Sequence, residues 1–514
     1  MNAKKSTKIL LIGCPWIITK KSLDYLNAPV LIGLGYIAAV LEKNNYNVKI
    51  LDALTEGFST REILKDTGLI KVGLTNEQIS ESVKEFNPDI VGLSNQFTSQ
   101  ASTMFEVSDL VKKIDEKIIV VVGGVHPSSD PLECIKYKNI DFVITGEGEY
   151  AFLQLINSLG GNKDFKNIKG LLHKIDDRVY SNLPYLPIEN LDEIPFPAYH
   201  LLPIAKSIEI SKLDQSMRNT DKTGYLPVIS SRGCPFGCIF CGANLLVSRK
   251  WRFRSPKNFV DEIRFLKNKY NISTFTFEDS NFTLDQERAQ KICDEIIKRK
   301  LNIKWSLPNG IRADKVNDEL IYKIKEAGCH SVTLGIEHGN QEYLNKFINK
   351  ALDLKNVERA VKIIKKHKIS VSGFFMMGFP NETIDLIDDT ISFAIKLART
   401  GMMPLFSIVI PLPGTALADY CLEKNLFIKK NLSPTDYLLS SHSHPTVKCE
   451  NITPEQLIAL RRKARILSAV NMAIFSPVEF LKYPFVKETL KQLLSPKTFI
   501  NRFKLILTKT NMGT

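Results

Sequence analysis

The sequence predicts an α/β protein in which a doubly wound parallel sheet is followed by a partial barrel and a helical C-terminal region. Three observations predict it. Over the first 150 residues, short apolar runs rich in β-formers alternate with helical patterns. A second alternation of six units starts near residue 226, and a Pro-bearing stretch separates the two series. Apolar strands alternating with helices argue for parallel sheets covered on their faces.

In the first series the strand candidates are Lys8–Ile12, Asn47–Leu51, Asp89–Leu93, Ile118–Val122 and Asp141–Thr145. Helical patterns lie between them at Leu34–Lys43, Glu77–Glu85, Met104–Asp115 and Tyr150–Leu159. Five such strands suggest a flavodoxin-like domain over residues 1–160. Gly13, Gly123-Gly124 and Gly146-x-Gly148 fall just after strands, where open α/β sheets form their ligand crevice. A turn glycine explains each of them equally well. No GxGxxG follows the first strand, so a nicotinamide dinucleotide is not indicated.

Residues 161–220 read as a connector with Pro184, Pro187, Pro195, Pro197 and Pro203, and a small β element around Gly170–His173. Residues 221–430 carry strands at Leu226–Ser230, Thr274–Glu278, Ile303–Leu307, Ser331–Ile336, Val371–Met377 and Leu405–Ile410. Six β/α units predict a partial barrel with its chemistry at the C-terminal strand ends. Residues 431–514 read as mostly helical.

A hydrophobic content of 44% with 24% charged residues fits a folded protein and excludes a disordered chain. The net charge of +14 is carried by scattered Lys without an Arg-rich stripe or RNA-binding motif, so no nucleic-acid partner is expected. No apolar run reaches 18 residues, and the apolar start near Ile9 lacks a cleavage-site pattern, so the protein is expected to be cytoplasmic.

Three of the nine cysteines stand within eight residues, directly after the first barrel strand: Cys234-Pro-Phe-Gly-Cys238-Ile-Phe-Cys241. A C-x₃-C-x₂-C loop delivers three thiolates to one metal cluster, and three ligands leave one iron of a cubane open. A zinc knuckle would want a fourth ligand, and His200 and His330 are distant in sequence. Gly237 and Gly242 let the backbone wrap closely.

At these residues the chain resembles the radical SAM superfamily, whose loop chelates the amino and carboxylate groups of S-adenosylmethionine (SAM) on the open iron. Phe240 occupies that family's aromatic position before the last cysteine. Four strand-end stretches agree with the family: Phe277-Glu278-Asp279-Ser280-Asn281-Phe282, Gly335-Ile336-Glu337-x-Gly339, Gly378-Phe379-Pro380-x-Glu382-Thr383 and Pro411-Leu412-Pro413-Gly414-Thr415. The resemblance implies a 4Fe-4S cluster on the three cysteines and SAM contacts from Glu278, Asp279, Arg312 and Glu337. Read from the residues alone, those carboxylates could cap helices and Arg312 could be a surface ion pair.

The N-terminal domain resembles the B12-binding subfamily of these enzymes. Val30–Tyr36, Asp52, Val91-Gly-Leu-Ser94, Val122-Gly-Gly-Val-His126-Pro and Thr145-Gly-Glu-Gly-Glu149 carry that likeness. It implies cobalamin, with Ser94 bonding the nucleotide tail, Gly123 and Gly124 making room for it, and His126 lining the tail groove or domain interface. The Asp-x-His-x-x-Gly motif that supplies a lower cobalt ligand is absent. A domain that keeps the fold and binds nothing is the alternative.

The resemblance implies a cobalamin-dependent methyltransferase acting on carbon or phosphorus, with a cyclase as the alternative. A non-catalytic corrinoid sensor is the remoter one. Its implied partners are an external one-electron donor of the flavodoxin or ferredoxin type and a small-molecule or lipid substrate. From Asn471 to Thr514, seven Lys/Arg against two Glu accompany several Phe and Leu. Such a segment suits either packing on the barrel or peripheral membrane contact.

Overall fold

The computed structural model describes residues 7–65, 67–175, 178–214, 223–440 and 444–482. The N-terminal sheet contains β1 (Lys8–Gly13), β3 (Asn47–Asp52), β6 (Ile90–Asn95), β7 (Ile119–Gly124) and β8 (Phe142–Ile144). Their parallel order β3-β1-β6-β7-β8 is that of a flavodoxin-like sheet. Strand β1 shows why the sheet is buried on both faces. Ile9 and Leu11 join one apolar cluster while Leu10 and Ile12 join another on the opposite face. The helices Ile32–Lys43 and Gly148–Leu159 cover the first face, and Asn76–Phe86 and Ala101–Ile114 cover the second.

Two features depart from the sequence reading. A hairpin of β9 (Leu171–Ile175) and β10 (Arg178–Ser181) pairs antiparallel onto β8. The sheet therefore continues past residue 160 into the stretch read as a connector, because Leu171 and Leu172 are fully buried against it. A small antiparallel sheet of β2 (Trp16–Ile18), β5 (Ile70–Val72) and β4 (Arg61–Ile63) stands at the strand ends of the domain. Its three-residue strands are too short to show a period of two.

The second series starts with β11 (Leu226–Val228), and β12 (Ser231–Arg232) pairs with β13 (Arg252–Phe253) as a short hairpin. The strands β14 (Thr274–Phe277), β15 (Lys304–Ile311), β16 (Cys329–Glu337), β17 (Ser370–Met377) and β18 (Met403–Ile408) then follow. Strand order β11-β14-β15-β16-β17-β18 is sequential and parallel throughout, giving a six-stranded partial barrel. Its core is continuous with the first face of the N-terminal sheet, so one apolar mass joins the two domains.

The C-terminal region is helical as expected, at Pro434–Ser440, Pro454–Phe475 and Pro477–Phe480. Thr453 and Gln456 form a capping box at the start of the long helix. That helix packs on Ile384–Arg399, and Arg399 Nε donates to Asn471 Oδ1 at 2.8 Å. Residues 434–440 pack on the Thr98–Gln100 turn, returning the chain to the rim of the N-terminal domain. The basic segment falls mostly on residues 483–514, outside the described residues. No described helix is long and apolar enough to cross a membrane.

Candidate functional site

The cysteine loop is rooted in the β12–β13 hairpin. Gly233 holds φ +92°, and a Cβ there would lie 2.2 Å from Lys250 O, so only glycine serves. Cys234 N donates to Ser248 O at 3.2 Å, and Ile239 N donates to Ile348 O at 3.1 Å. Asn349 Nδ2 donates to Gly237 O at 3.0 Å and Asn244 Nδ2 to Phe236 O at 3.2 Å. Cys234, Cys238 and Cys241 are half-buried free thiols. Burial raises the pKa of each, the thiols raise one another's, and the nearby Lys350 ammonium opposes the rise. Among the described residues, no three His, Cys, Asp or Glu side chains converge on a single ion. A cubane places each thiolate on its own iron, so its ligands surround a cluster rather than one point.

Around the loop, Arg312, Asp279, Glu337 and Lys350 already have protein partners. The Arg312 guanidinium stands 3.7 Å from the Phe236 ring centroid. Its Nη1 donates to Lys350 O at 2.7 Å, its Nη2 to Ala351 O at 2.6 Å, and its Nε to Asp314 at 2.9 Å. The expected contact of Arg312 with the SAM carboxylate would have to compete with these bonds. The planar fork is occupied by protein carbonyls and clamps the cysteine loop from behind. Asp279 is likewise committed. It accepts from Ser230 N at 3.2 Å, from Ser230 Oγ at 2.6 Å and from Ser231 Oγ, which ties the root of the cysteine loop to β14. Glu278 beside it is half-buried. Phe240 packs edge-on to Phe379 at 6.3 Å.

Glu337 accepts from Lys350 Nζ at 2.8 Å, and both side chains are at most a tenth exposed. Burial lowers the Lys350 pKa, but Glu337 and Cys238 more than offset it and the net shift is upward. Glu337 takes φ +73° where the β16–β17 register slips, a costly conformation for a non-glycine residue. A Cβ on Gly335 would lie 2.9 Å from Lys350 Nζ, so that glycine makes room for the pair. Lys350 was not anticipated from the sequence. It lies in a loop far from any strand end, and only the fold brings it to the cysteines. The turn at Gly378 is held from inside: Glu382 accepts from Gly378 N, from Phe379 N at 3.1 Å and from His338 Nε2 at 3.0 Å.

The N-terminal sheet forms a small crevice at its switch point, lined by Gly13, Trp16, Asp52, Ser94, Asn95 and Gln100 among others. Gly13 pairs in register with Asp52 on one side and Ser94 on the other. Asp52 is 1% exposed. Its Oδ1 accepts from Thr55 N at 3.0 Å, but Oδ2 has no hydrogen-bond partner. Asn95, 2% exposed, likewise leaves Nδ2 unpartnered. Burial pushes the Asp52 carboxyl up to about 6 against the pull of its Thr55 bonds. Buried polar groups are normally satisfied, so an orphan acceptor and an orphan donor lining one crevice fit a polar ligand. The carboxamide-fringed corrin of cobalamin has both complements. Asn95 was not anticipated, although its place one residue past Ser94 put it within reach.

Two other expected tail contacts, Gly124 and His126, lie in packed surroundings. The room at Gly124 is filled by protein: at φ +106°, a Cβ would lie 2.4 Å from Asn95 O. Gly123 stays more open, with Ile144 O at 3.4 Å. His126, expected at the tail groove or the domain interface, is buried and is not among the residues lining the crevice. It is 1% exposed, with its ring edge-on to Phe105 at 6.4 Å and Nε2 3.3 Å from Glu133. Its helix, Val125–Ser129, does meet the helix Ala243–Val247 that follows the cysteine loop.

Residues 228–394 match the family model of the radical SAM superfamily, and residues 29–156 match that of the B12 binding domain. An uncharacterized methyltransferase of Pyrococcus horikoshii is 34% identical over 90% of this chain and 92% of its own length. A cytidylyl-2-hydroxyethylphosphonate methyltransferase of Streptomyces wedmorensis is 29% identical over 82% and 83%. The solved radical SAM methyltransferase TsrM of Kitasatospora setae, with cobalamin and a 4Fe-4S cluster bound, superposes with a TM-score of 0.69. It is 15% identical and covers 95% of this chain and 100% of TsrM, a likeness of fold.

Proposed function

We propose that this chain, which belongs to the cobalamin-binding radical SAM family, transfers a methyl group from SAM to an unactivated carbon or a phosphorus of a small substrate. The observation that carries this reading is the joining of two strand-end sites, one of thiols and one of orphan polar atoms, in one frame. The three-cysteine loop and a crevice with two orphan polar atoms belong to domains that share one core. The Streptomyces relative's phosphonate substrate supports carbon or phosphorus as the acceptor.

When bound, the cluster supplies the electron that cleaves SAM, and cobalamin carries the methyl group. Cys234, Cys238 and Cys241 would hold the cluster and leave one iron free. Lys350 and Glu337, paired near Cys238, would offer a cation and a carboxylate for the charged end of SAM, with half-buried Glu278 as a third contact. Phe240 walls the loop against Phe379. Arg312 and Asp279 keep the loop in place without touching SAM. Asn95 and Asp52 would hold the corrin and Ser94 its nucleotide tail, with Gly123 leaving room for the tail. Electrons would come from a flavodoxin- or ferredoxin-type donor in the cytoplasm.

The test is incubation of the anaerobic holoprotein with SAM and a strong reductant. Methyl transfer consumes SAM in two ways, so both 5′-deoxyadenosine and S-adenosylhomocysteine are expected. Finding 5′-deoxyadenosine without S-adenosylhomocysteine, in protein loaded with cobalamin, would sink methyl transfer and promote a cyclase.

A further inference from the structure

The turn after β8 carries two glutamates, Glu147 and Glu149, that have no place in either cofactor site. They cross the domain boundary. Glu149 Oε1 lies 2.7 Å from Arg232 Nη2, and Glu147 Oε2 lies 2.7 Å from Arg252 Nη1. Arg232 Nη1 also stands 3.5 Å from Glu147 Oε1. All four side chains are at most 10% exposed.

Arg232 and Arg252 pair directly across the β12–β13 hairpin, which is the root of the cysteine loop. Arg232 precedes Cys234 by two residues. Arg252 also donates to Val247 O at 2.7 Å and Lys250 O at 3.2 Å, gathering the chain that leaves the loop. On the other side, Ile188 N donates to Glu147 at 2.7 Å while Arg252 donates to Ile188 O at 2.7 Å, so the connector is tied in as well. The Arg232 guanidinium stacks 5.0 Å from the ring of Tyr36, on the helix whose start borders the crevice. Gly146, at φ +73°, sets the turn; a Cβ there would lie 2.3 Å from the Tyr185 ring.

An apolar seam would hold two domains together at least as well, since desolvating charges cancels much of what pairing them yields. Guanidinium–carboxylate pairs add direction. The planar fork fixes angle as well as distance, which a greasy contact does not. Here the direction is imposed from the end of β8 on the hairpin that delivers Cys234, and β8 lies in the same sheet as the crevice, two strands from its lining strand β6.

We propose that Glu147 and Glu149 are positioning residues that set the cluster loop at a fixed distance and angle from the corrin crevice. The inference rests on the methyl-transfer reading for its kinetic consequence. Cleavage of SAM to 5′-deoxyadenosine takes place within the barrel and does not need the clasp. Formation of S-adenosylhomocysteine requires SAM and cobalamin to meet across the boundary, and so it does.

The experiment uses full-length holoprotein carrying Glu147→Gln, Glu149→Gln or the shorter but still charged Glu149→Asp. Iron and cobalamin content are measured together with both products. A misplacement of about 1 Å can cost on the order of 10²-fold in a reaction step. S-adenosylhomocysteine formation is therefore expected to fall roughly 10- to 100-fold in the Gln variants, with 5′-deoxyadenosine formation within about twofold of the parent. Glu149→Asp, which folds if the charge is what matters, should fall between. An unchanged product ratio, or a parallel fall of both products with loss of iron, overturns the proposal. If the parent makes no S-adenosylhomocysteine, the methyl-transfer reading has failed instead. The clasp is then judged by pulsed electron paramagnetic resonance between the reduced cluster and cobalt(II). A distance distribution that shifts or broadens in the variants supports positioning, and one identical to the parent's refutes it.

Discussion

The two strand-end sites treat their charged groups differently. In the barrel, Arg312, Asp279, Glu337 and Lys350 all have protein partners already. In the crevice of the N-terminal sheet, Asp52 and Asn95 are buried with one polar atom each left over. The difference follows from how each site would keep its occupant. A cluster would be held by covalent thiolate bonds, so Arg312 and Asp279 are free to brace the loop while Glu337 and Lys350 remain for SAM. A corrin without a protein ligand to cobalt has to be held by hydrogen bonds, so its site keeps donors and acceptors unpaired until it binds.

The largest expected effect tests the covalent half. Replacing Cys234, Cys238 and Cys241 together by Ala should reduce iron from about four per chain to background. It should also abolish SAM cleavage, while cobalamin binding persists. A triple variant that still forms 5′-deoxyadenosine would end the radical SAM assignment of these residues. Next comes the bracing. Arg312→Lys keeps the charge but loses the fork that spans two carbonyls, and charged hydrogen bonds are worth about 1.5–3 kcal/mol each. A loss of about 2–4 kcal/mol in loop stability is expected, read as faster iron release to a chelator. SAM affinity of the protein that stays loaded should change little. A large rise in the KM for SAM with normal iron retention would return Arg312 to the substrate.

Much of this frame was legible in the sequence. The main strands of both domains and the cysteine loop follow from local signals: runs of buried β-formers, strand-end glycines and three thiols at fixed spacing. What was not legible depends on tertiary partners. Nothing local separates Arg312 facing SAM from Arg312 facing the Lys350 carbonyl, and both are strand-end arginines. Lys350 resembles any other Lys in a Lys-rich chain until the fold sets it over Gly335. The glutamates of Thr145-Gly-Glu-Gly-Glu149 were visible as a pattern, but their arginine partners lie 83 and 105 residues away.

Smaller effects probe the hydrogen-bonded half. Asn95→Ala and Asp52→Ala should each weaken cobalamin binding by about tenfold, equivalent to about 1.4 kcal/mol. Iron content should not move. Affinity unchanged in both would mean that the orphan atoms meet something other than the corrin. Asp52 also carries a pH signature in the cobalamin-free protein. Its carboxyl lies near 6 in the folded chain against an ordinary 3.8. The folded state thus holds the proton more tightly, so the group's contribution is most favourable at low pH and declines as pH rises from about 4 to 6. Asp52→Asn removes this dependence. Its stability advantage over the parent should be about 1 kcal/mol greater at pH 7.5 than at pH 5, measured by denaturant melts. An advantage that shrinks as pH rises would contradict the buried, unpartnered carboxyl.

The smallest expected effect is a null. His126 is the residue that could undo the contrast between the two sites, because an imidazole on cobalt would make the crevice a covalent site as well. The fold argues against it. The ring is 1% exposed, and Phe105 meets it edge-on from the helix Ala101–Ile114. Its Nε2 faces Glu133, and it is not among the residues lining the crevice. Reaching a bound corrin would mean drawing the ring out of the core and leaving a cavity behind. His126→Ala should therefore cost stability through lost packing alone and leave the corrinoid's absorption and cobalt(II) resonance spectra as in the parent. The decisive readout is nitrogen hyperfine splitting on cobalt(II). If the parent shows that splitting and the variant loses it, His126 is a cobalt ligand, and the two sites hold their metals in the same way after all.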